Sequence, residues 1–164
     1  MKKKFFPILA TAVLIGMCSV VSAASAETVK NEKNTQIRKA PVWLTDFGKA
    51  QEMARNENRV ILVDFTGSDW CPWCVRLHDE VLKQKQFLDY AADNLILLEV
   101  DFPRRKKQTN KQKQANQALA EKYGIQGFPT ILLLDPNGTV IARTGYRRGG
   151  ANAYVKHLQQ LLKK

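Results

Sequence analysis

Two short apolar runs separated by a helical pattern restrict the fold more than any other part of this chain. Residues 60–65 and 95–100 are rich in Val, Ile and Leu, which is typical of strands buried on both faces. Residues 71–90 between them carry apolar side chains at helical spacing, with an interruption near Gln86. Because two parallel strands need a crossover connection, strand, helix and strand in this order predict a parallel pair in an α/β protein.

The other predicted elements complete a small mixed sheet. The helical spacing of Trp43, Phe47, Ala50 and Ala54 predicts a first helix, which ends at Asn56–Asn58. Later segments predict a helix at 115–123, strands at 130–134 and 139–143, and a last helix at 151–162. The two late strands are joined by Asp-Pro-Asn-Gly, a strong signal for an antiparallel hairpin. The predicted fold class is therefore α/β, a three-layer sandwich in which helices cover both faces of a mixed central sheet.

The first 26 residues have the pattern of a secretory signal. Lys2–Lys4 are positively charged, and residues 5–21 are almost wholly apolar. Ala24–Ala26 supply the small side chains that signal peptidases require, which predicts cleavage before Glu27. The expected location of the mature protein is therefore periplasmic or extracellular.

Two alternatives to a cleaved signal are a retained membrane anchor and a lipid-modified cysteine. The apolar run could remain as a membrane anchor, but at about 17 residues it is short for a spanning helix of roughly 20. Lipid attachment at Cys18 is disfavoured because the bulky Met17 precedes it. After cleavage we expect no stable membrane anchor, a flexible lead-in at 27–41 and one folded domain at 42–164.

Charge and cysteine content restrict the functional classes. Lys and Arg exceed Asp and Glu by 26 to 15, and loss of residues 1–26 lowers the net charge from +11 to +8. The mature chain keeps two cysteines, Cys71 and Cys74, and would hold them in an oxidising compartment. A disulfide-rich scaffold is excluded, because such folds need several cysteine pairs.

A basic insert stands out at about residues 103–114. It contains six cations and no acid, namely Arg104, Arg105, Lys106, Lys107, Lys111 and Lys113. Export and the absence of interleaved aromatic residues argue against nucleic acid as a partner. We expect a solvated loop or helix start; a docking surface for an acidic partner or an anionic envelope is the alternative.

The pair Cys71 and Cys74 carries the most specific chemistry in the chain. It follows a predicted strand and opens a helix, where unpaired N–H groups and the helix dipole favour a thiolate on Cys71. Cys71 would attack a substrate disulfide, and Cys74, one turn later, would resolve the mixed disulfide. Half of a zinc site is one alternative, although the only histidines are His78 and His157. A merely structural disulfide is another, although so short a loop would stabilise little.

The segment from Phe65 to Cys74, taken together with Gly127-Phe128-Pro129-Thr130, resembles the thioredoxin superfamily. The resemblance extends over roughly Trp43 to Leu162. It is strongest to exported bacterial thioredoxin-like proteins that carry a Gly-Ser-Asp-Trp-Cys-Pro-Trp-Cys segment. It implies a cis peptide bond before Pro129 and a groove in which this loop offers its backbone to a substrate peptide. The substrate-binding residues that it implies are Trp70, Pro72, Trp73, Phe128, Pro129 and Thr130.

The same resemblance assigns a possible role to Asp64. Thioredoxins carry a buried acid on the strand before the cysteine pair, which helps to move the proton of the inner cysteine. Asp64 ends an apolar strand but lies seven residues before Cys71, one more than usual. A solvent-facing acid is the alternative, and residues 94–101 lack the lysine that often accompanies the family's acid. His78, four residues after Cys74, is expected to face solvent or pack rather than tune the pair.

These features predict an exported thiol–disulfide oxidoreductase that acts on protein disulfides of the cell envelope. The leading version is a reductase recharged by a membrane electron carrier, although Pro72-Trp73 between the cysteines does not decide the direction of electron flow. No metal or organic cofactor is expected, since the cysteine pair itself carries the electrons. A monomer is expected, because the chain has no dimerisation domain of the kind isomerases use. The alternative is a redox-inert thioredoxin fold whose groove binds peptides or a partner.

Overall fold

Helices and strands alternate along residues 40–163, the part of the chain that the structure, a computed structural model, describes. The strands are β1 Trp43–Leu44, β2 Val60–Thr66, β3 Leu95–Asp101, β4 Thr130–Leu134 and β5 Val140–Thr144. The helices are α1 Phe47–Glu57, α2 Pro72–Leu77, α3 Lys85–Asn94, α4 Asn110–Lys122 and α5 Gly150–Leu162, with a π-helical segment at His78–Leu82. The predicted signal at 1–26, with Cys18, and nearly all of the lead-in at 27–41 lie outside the described residues. Within those residues, no helix is long and apolar enough to cross a membrane.

The five strands form one mixed sheet in the order β1-β3-β2-β4-β5. Strands β1 and β2 both pair with β3 in parallel, whereas β4 is antiparallel to β2 and to β5. In this register Asp64 on β2 lies beside Glu99 on β3 and Ile131 on β4. The parallel pair and the late hairpin predicted from the sequence are confirmed.

Helices cover both faces of the sheet, because the alternating side chains of β2 enter two separate apolar cores. Ile61, Val63 and Phe65 pack with α1 and α4 on one face. Leu62 packs on the other face with the π-helical segment and with α2, α3 and α5. Burial on both faces accounts for the continuous apolar run in β2. The predicted three-layer α/β sandwich is therefore confirmed.

The prediction that the first helix begins at Trp43 is wrong. Trp43 and Leu44 pair with β3 as a short edge strand, and α1 begins only at Phe47. The side chain of Asp46 caps that helix by accepting a hydrogen bond of 2.9 Å from the Lys49 N–H. The spacing of Trp43 and Phe47 imitates one face of a helix because both are partly buried apolar residues. They pack, however, into different cores.

The helix predicted for residues 71–90 is interrupted, as expected, but earlier than Gln86. The π-helical segment follows α2 directly, and the chain leaves the helix at Lys83 and Gln84 before α3. Helix α4 starts at Asn110, five residues before the predicted start, with Thr109 as its N-cap. The basic insert is therefore part loop and part helix start, as expected.

Candidate active site at the Cys71–Cys74 disulfide

Cys71 and Cys74 form a disulfide at the amino end of α2. Their Cα atoms are 5.2 Å apart, and the residues are only 4% and 3% exposed. Cys71 is the N-cap residue, and its Sγ accepts a hydrogen bond of 3.2 Å from the Cys74 N–H. In the reduced state this position favours a thiolate on Cys71, because the N–H groups of the first helical turn point toward it.

Gly67 shapes the loop between β2 and α2. Its carbonyl oxygen accepts hydrogen bonds from the N–H groups of Trp70 and Cys71, at 3.2 and 2.9 Å. Its own N–H lies 3.5 Å from the Cys74 Sγ. A Cβ atom on Gly67 would stand 2.5 Å from the Trp70 ring. Only glycine fits this close approach, so Gly67 sets the position of both the indole and the cysteine pair.

Trp70 is fixed on three sides. Its indole Nε1–H donates a hydrogen bond of 2.8 Å to the carbonyl oxygen of Phe102, and its ring meets Phe128 edge-on at 6.0 Å. Phe128 in turn stacks on Phe102 at 5.1 Å. The Arg104 guanidinium covers the indole at 3.9 Å from its centre, in cation–π geometry. Trp70 and Phe128, 58 positions apart in the sequence, are thereby brought into contact.

The loop before β4 lies at the end of the sheet where the cysteine loop begins. Thr130 pairs with Phe65, near the end of β2, and the peptide bond between Phe128 and Pro129 is cis. The Thr130 hydroxyl donates a hydrogen bond of 2.7 Å to the carbonyl oxygen of Gly127. Phe128, Pro129 and Thr130 are all half-buried, so each keeps some surface that a bound peptide could contact.

A groove of about 560 Å³ opens beside the first cysteine. Its lining residues are Ser68, Asp69, Trp70, Cys71, Pro72, Val75, Arg76, Asp79, Glu80 and Arg105. Trp73 is 49% exposed, and its ring packs 5.4 Å from Tyr146, whose hydroxyl donates a hydrogen bond of 2.7 Å to Glu80. Pro72 and Trp73 thus form an exposed apolar surface next to the disulfide, as a peptide-binding site requires.

Asp64 is buried rather than solvent-facing. Its side chain points into the core side of β2 occupied by Leu62, and its Oδ1 atom has no hydrogen-bond partner among the described residues. Burial, together with the smaller effect of the carboxylates of Glu99 and Asp101, raises its pKa to about 8. Strand β3 therefore presents acids where related folds often place a lysine, so Asp64 is held protonated near neutral pH.

Asp69 is a site residue that the sequence analysis did not identify. Its carboxylate accepts hydrogen bonds from three successive backbone N–H groups, those of Arg104, Arg105 and Lys106, at 2.7–2.9 Å. The hydrogen bond from the Arg104 N–H, with those that follow, lowers the pKa of Asp69 to about 2. No residue pattern signals this contact, because Asp69 binds backbone N–H groups some 35 residues later and not the basic side chains.

Neither histidine joins the cysteine pair. The side chain of His78 is 59% exposed and lies 3.3 Å from the carboxylate of Asp79. His157, on α5, lies 2.9 Å from the Thr144 hydroxyl. Across residues 40–163, no three His, Cys, Asp or Glu side chains converge as a metal ion requires.

Comparison with known proteins places the chain in a family. Residues 47–162 match the family described as thioredoxin-like domain. The disulfide bond reductase DsbH of Chlamydia pneumoniae is 34% identical over 89% of this chain and 87% of its own length. A solved DsbH oxidoreductase structure superposes with a TM-score of 0.73, at 34% identity over 81% of this chain and 92% of that one. The thiol:disulfide interchange protein DsbD of Photorhabdus laumondii is 31% identical over 69% of this chain but only 18% of its own length. The chain therefore belongs to the thioredoxin-like family.

Proposed function

We propose that this chain, a thiol–disulfide oxidoreductase, works as a reductase of protein disulfides outside the cytoplasm. The observation that carries the proposal is the position of Cys71, at the amino end of α2 and on the wall of an open groove. Cys74 lies behind it, less than one helical turn away and hydrogen-bonded to its sulfur. An attacking thiol needs access and thiolate character, and a resolving thiol needs only reach.

The proposed reaction is a pair of thiol–disulfide exchanges. The Cys71 thiolate attacks one sulfur of the substrate disulfide; the substrate S–S bond breaks, and the released thiolate takes up a proton. The Cys74 thiolate then attacks the Cys71 sulfur and releases the second substrate thiolate. Two electrons have moved to the substrate, and the protein is left with the Cys71–Cys74 disulfide. No metal or organic cofactor enters this scheme.

Asp64 has a place in the second exchange. Cys74 must lose its proton before it can attack, and it is almost fully buried, so water does not reach it freely. A pKa near 8 leaves about one Asp64 carboxyl in ten ionised at pH 7, and only this ionised form can take up a proton. We assign the ionised form of Asp64 the role of proton acceptor for Cys74, and the neighbouring acid Glu99 raises the affinity of Asp64 for that proton.

Substrate binding is proposed to use the loop before β4. An extended peptide would pair with the backbone at Phe128–Thr130, as an added strand, and lay the side chains next to its disulfide on Trp73 and Pro72. The Trp70 ring contacts Phe128. We therefore propose that Trp70 contributes to binding by holding the loop before β4 beside the cysteines.

The reductive direction is supported by similarity alone. The relative with 34% identity is named a disulfide bond reductase. The proposal includes export by residues 1–26, action as a monomer, and recharging by a dithiol carrier in the membrane.

Trapping tests this proposal. In Cys74→Ser the first exchange proceeds but the second cannot, so mixed disulfides with envelope proteins are expected to accumulate on Cys71. They should be visible on non-reducing gels and vanish on reduction. Cys71→Ser is the matched control and should trap none, because the buried Cys74 does not line the groove. Recovery of partners by the wild type without any trapped species in Cys74→Ser would favour the redox-inert binding module.

A further inference from the structure

Four consecutive cations, Arg104–Lys107, lie exposed beside the cysteine groove. They are the loop part of the basic insert, and the proposed disulfide exchange does not use them. A run of charges that only keeps a protein soluble needs no defined position. The positions of Arg104, Arg105 and Lys106 are, by contrast, fixed by contacts with the active-site loop.

The first of these contacts is the clamp formed by Asp69. Its carboxylate binds the backbone N–H groups of Arg104, Arg105 and Lys106, so the segment cannot move away from the cysteine loop without breaking three hydrogen bonds. Hydrogen bonds that involve an ionised carboxylate are stronger than those between neutral groups. The low pKa of Asp69, about 2, keeps the clamp ionised throughout the physiological range.

Side chains of the segment contact the same loop. The Lys106 ammonium donates a hydrogen bond of 2.9 Å to the Ser68 hydroxyl, and Arg104 covers the Trp70 ring. The Arg105 guanidinium donates to the carbonyl oxygen of Asp69 at 3.0 Å and lines the groove together with Cys71. Of the four cations, Arg105 is thus the one that lines the groove in which a bound substrate would lie.

The acids of the groove are paired with cations or hydrogen-bond donors, whereas the cations Arg104–Lys107 form no ion pair with a carboxylate among the described residues. Asp79 receives a hydrogen bond of 2.7 Å from Lys83, and Glu80 binds the Tyr146 hydroxyl and the Arg76 guanidinium. Among the described residues, no carboxylate oxygen lies within 4 Å of the side-chain nitrogens of Arg104–Lys107. Asp69 offsets one of the four charges and Glu99, which interacts with Lys106, offsets at most one more, so this rim of the groove keeps a positive excess.

We propose that Arg104–Lys107, held in place by Asp69, selects disulfide substrates whose polypeptide carries acidic side chains next to the reacting cysteine. Arg105 makes the principal contact, and Lys107 adds to the field at the edge of the groove. This inference rests on the proposed disulfide exchange and names the class of substrate that it favours. Asp69 is a positioning residue here, because it acts through the segment that it holds.

The test measures single turnovers of the pre-reduced protein on three disulfide peptides. The peptides differ only in the residues flanking one cysteine, which are Asp and Glu, Asn and Gln, or Lys. The readout is the second-order rate constant, followed by tryptophan fluorescence. We expect the acidic peptide to react about fivefold faster than the amide peptide, the effect of one exposed charge pair, and the lysine peptide to be slowest. The difference should disappear in 1 M salt, where charges are screened beyond roughly 3 Å.

Two variants with the same change in net charge test whether the preference depends on this segment or only on the charge of the whole protein. Arg105→Glu should remove or invert the preference, whereas Lys156→Glu, an equal charge change on the exposed side of α5, should preserve it. Asp69→Asn retains every cation but weakens the clamp. It should reduce the preference and raise the hydrogen-exchange rates of the Arg104, Arg105 and Lys106 amides, because asparagine offers them one neutral acceptor oxygen in place of two charged ones.

Each outcome decides the inference. Equal rates for the three peptides, or a preference that survives Arg105→Glu, would overturn it and leave the disulfide exchange intact. Binding to anionic phospholipid vesicles that Arg105→Glu abolishes, with equal peptide rates, would assign the segment to a membrane surface and overturn it as well. No reaction with any peptide would refute the proposed function itself, and the inference with it.

Discussion

Asp64 shows how far the surroundings of a single residue can change its chemistry. An aspartate in water has an ordinary pKa of 3.8, whereas burial beside β3 raises that of Asp64 to about 8. Its neighbour Glu99 is affected in the same way, with a pKa raised by partial burial and by Asp101. A buried acid next to other acids, rather than next to a lysine, stays protonated at neutral pH.

This raised pKa predicts a pH-dependent stability difference between the wild type and Asp64→Asn. Between pH 3.8 and about 8 the unfolded wild type has lost the proton that the folded protein keeps. Its free energy of unfolding therefore falls as the pH rises, by about 1.4 kcal/mol per pH unit from this residue. The asparagine of the variant does not titrate, so the variant lacks this pH-dependent fall. The free energy of unfolding of Asp64→Asn relative to the wild type should therefore increase from pH 4 to pH 8 and stay constant above pH 8.

Urea unfolding of the oxidised proteins at a series of pH values measures that difference. The quantity to follow is the free energy of unfolding of Asp64→Asn minus that of the wild type at each pH. Contributions from the other titrating groups, which the two proteins share, cancel in this difference. A constant cost of burying the asparagine amide shifts the whole curve but does not change its slope. Curves that run parallel between pH 4 and pH 8 would show that Asp64 has an ordinary pKa, and with it the proposed proton-acceptor role would fail.

At this scale the sequence predicts residues whose role is local. Cys71 and Cys74 could be identified because their spacing and the following helix define the chemistry between them. Asp69 was missed because its role depends on backbone N–H groups 35 positions away, which no residue pattern displays. The burial of Asp64 likewise depends on which helices pack over β2, so the sequence left it open.

The loop between β2 and α2 is the element on which the geometry of the site depends most. It must bring Trp70 against Phe102 and still place Cys71 at the start of α2, and Gly67 makes both possible. The π-helical segment that follows α2 shifts the chain before α3. Neither feature follows from helical periodicity, which is why the predicted helix over 71–90 needed correction.

Gly67→Ala is predicted to disturb this loop. The new Cβ atom would lie 2.5 Å from the Trp70 ring, so the indole must move and its hydrogen bond to Phe102 is strained or lost. Overpacking of this kind costs about 1–3 kcal/mol. Urea unfolding should show the lower stability, and the tryptophan emission of the folded protein should change.

Gly127→Ala is the matched control for that variant. Gly127 belongs to the loop before β4, and a Cβ atom there meets nothing within 4 Å. Its stability should stay within about 0.5 kcal/mol of the wild type, as for most surface substitutions. Equal stabilities of the two variants would mean that the contact between Gly67 and the indole is unimportant.

At the scale of the whole molecule, the layered architecture of residues 40–163 was the most predictable property of the chain. Apolar runs at β2 and β3 with a helix between them leave few arrangements other than a covered sheet. The two-residue strand β1 was not predictable, because its place is set by pairing with Leu97 and Leu98 rather than by a pattern of its own. The direction of electron flow is also a property of the whole molecule, since it depends on the difference in stability between the oxidised and reduced folds.

The reduction potential of the Cys71–Cys74 pair, equilibrated against glutathione buffers, tests the proposed direction most directly. A reductase must hold its electrons at low potential, and we predict a value near that of thioredoxin, about −270 mV. Cys71→Ser is the blank, because it cannot form the disulfide. A potential near −120 mV would make the protein a disulfide donor and contradict the account. Failure to form a reversible disulfide would leave only the peptide-binding groove as its function.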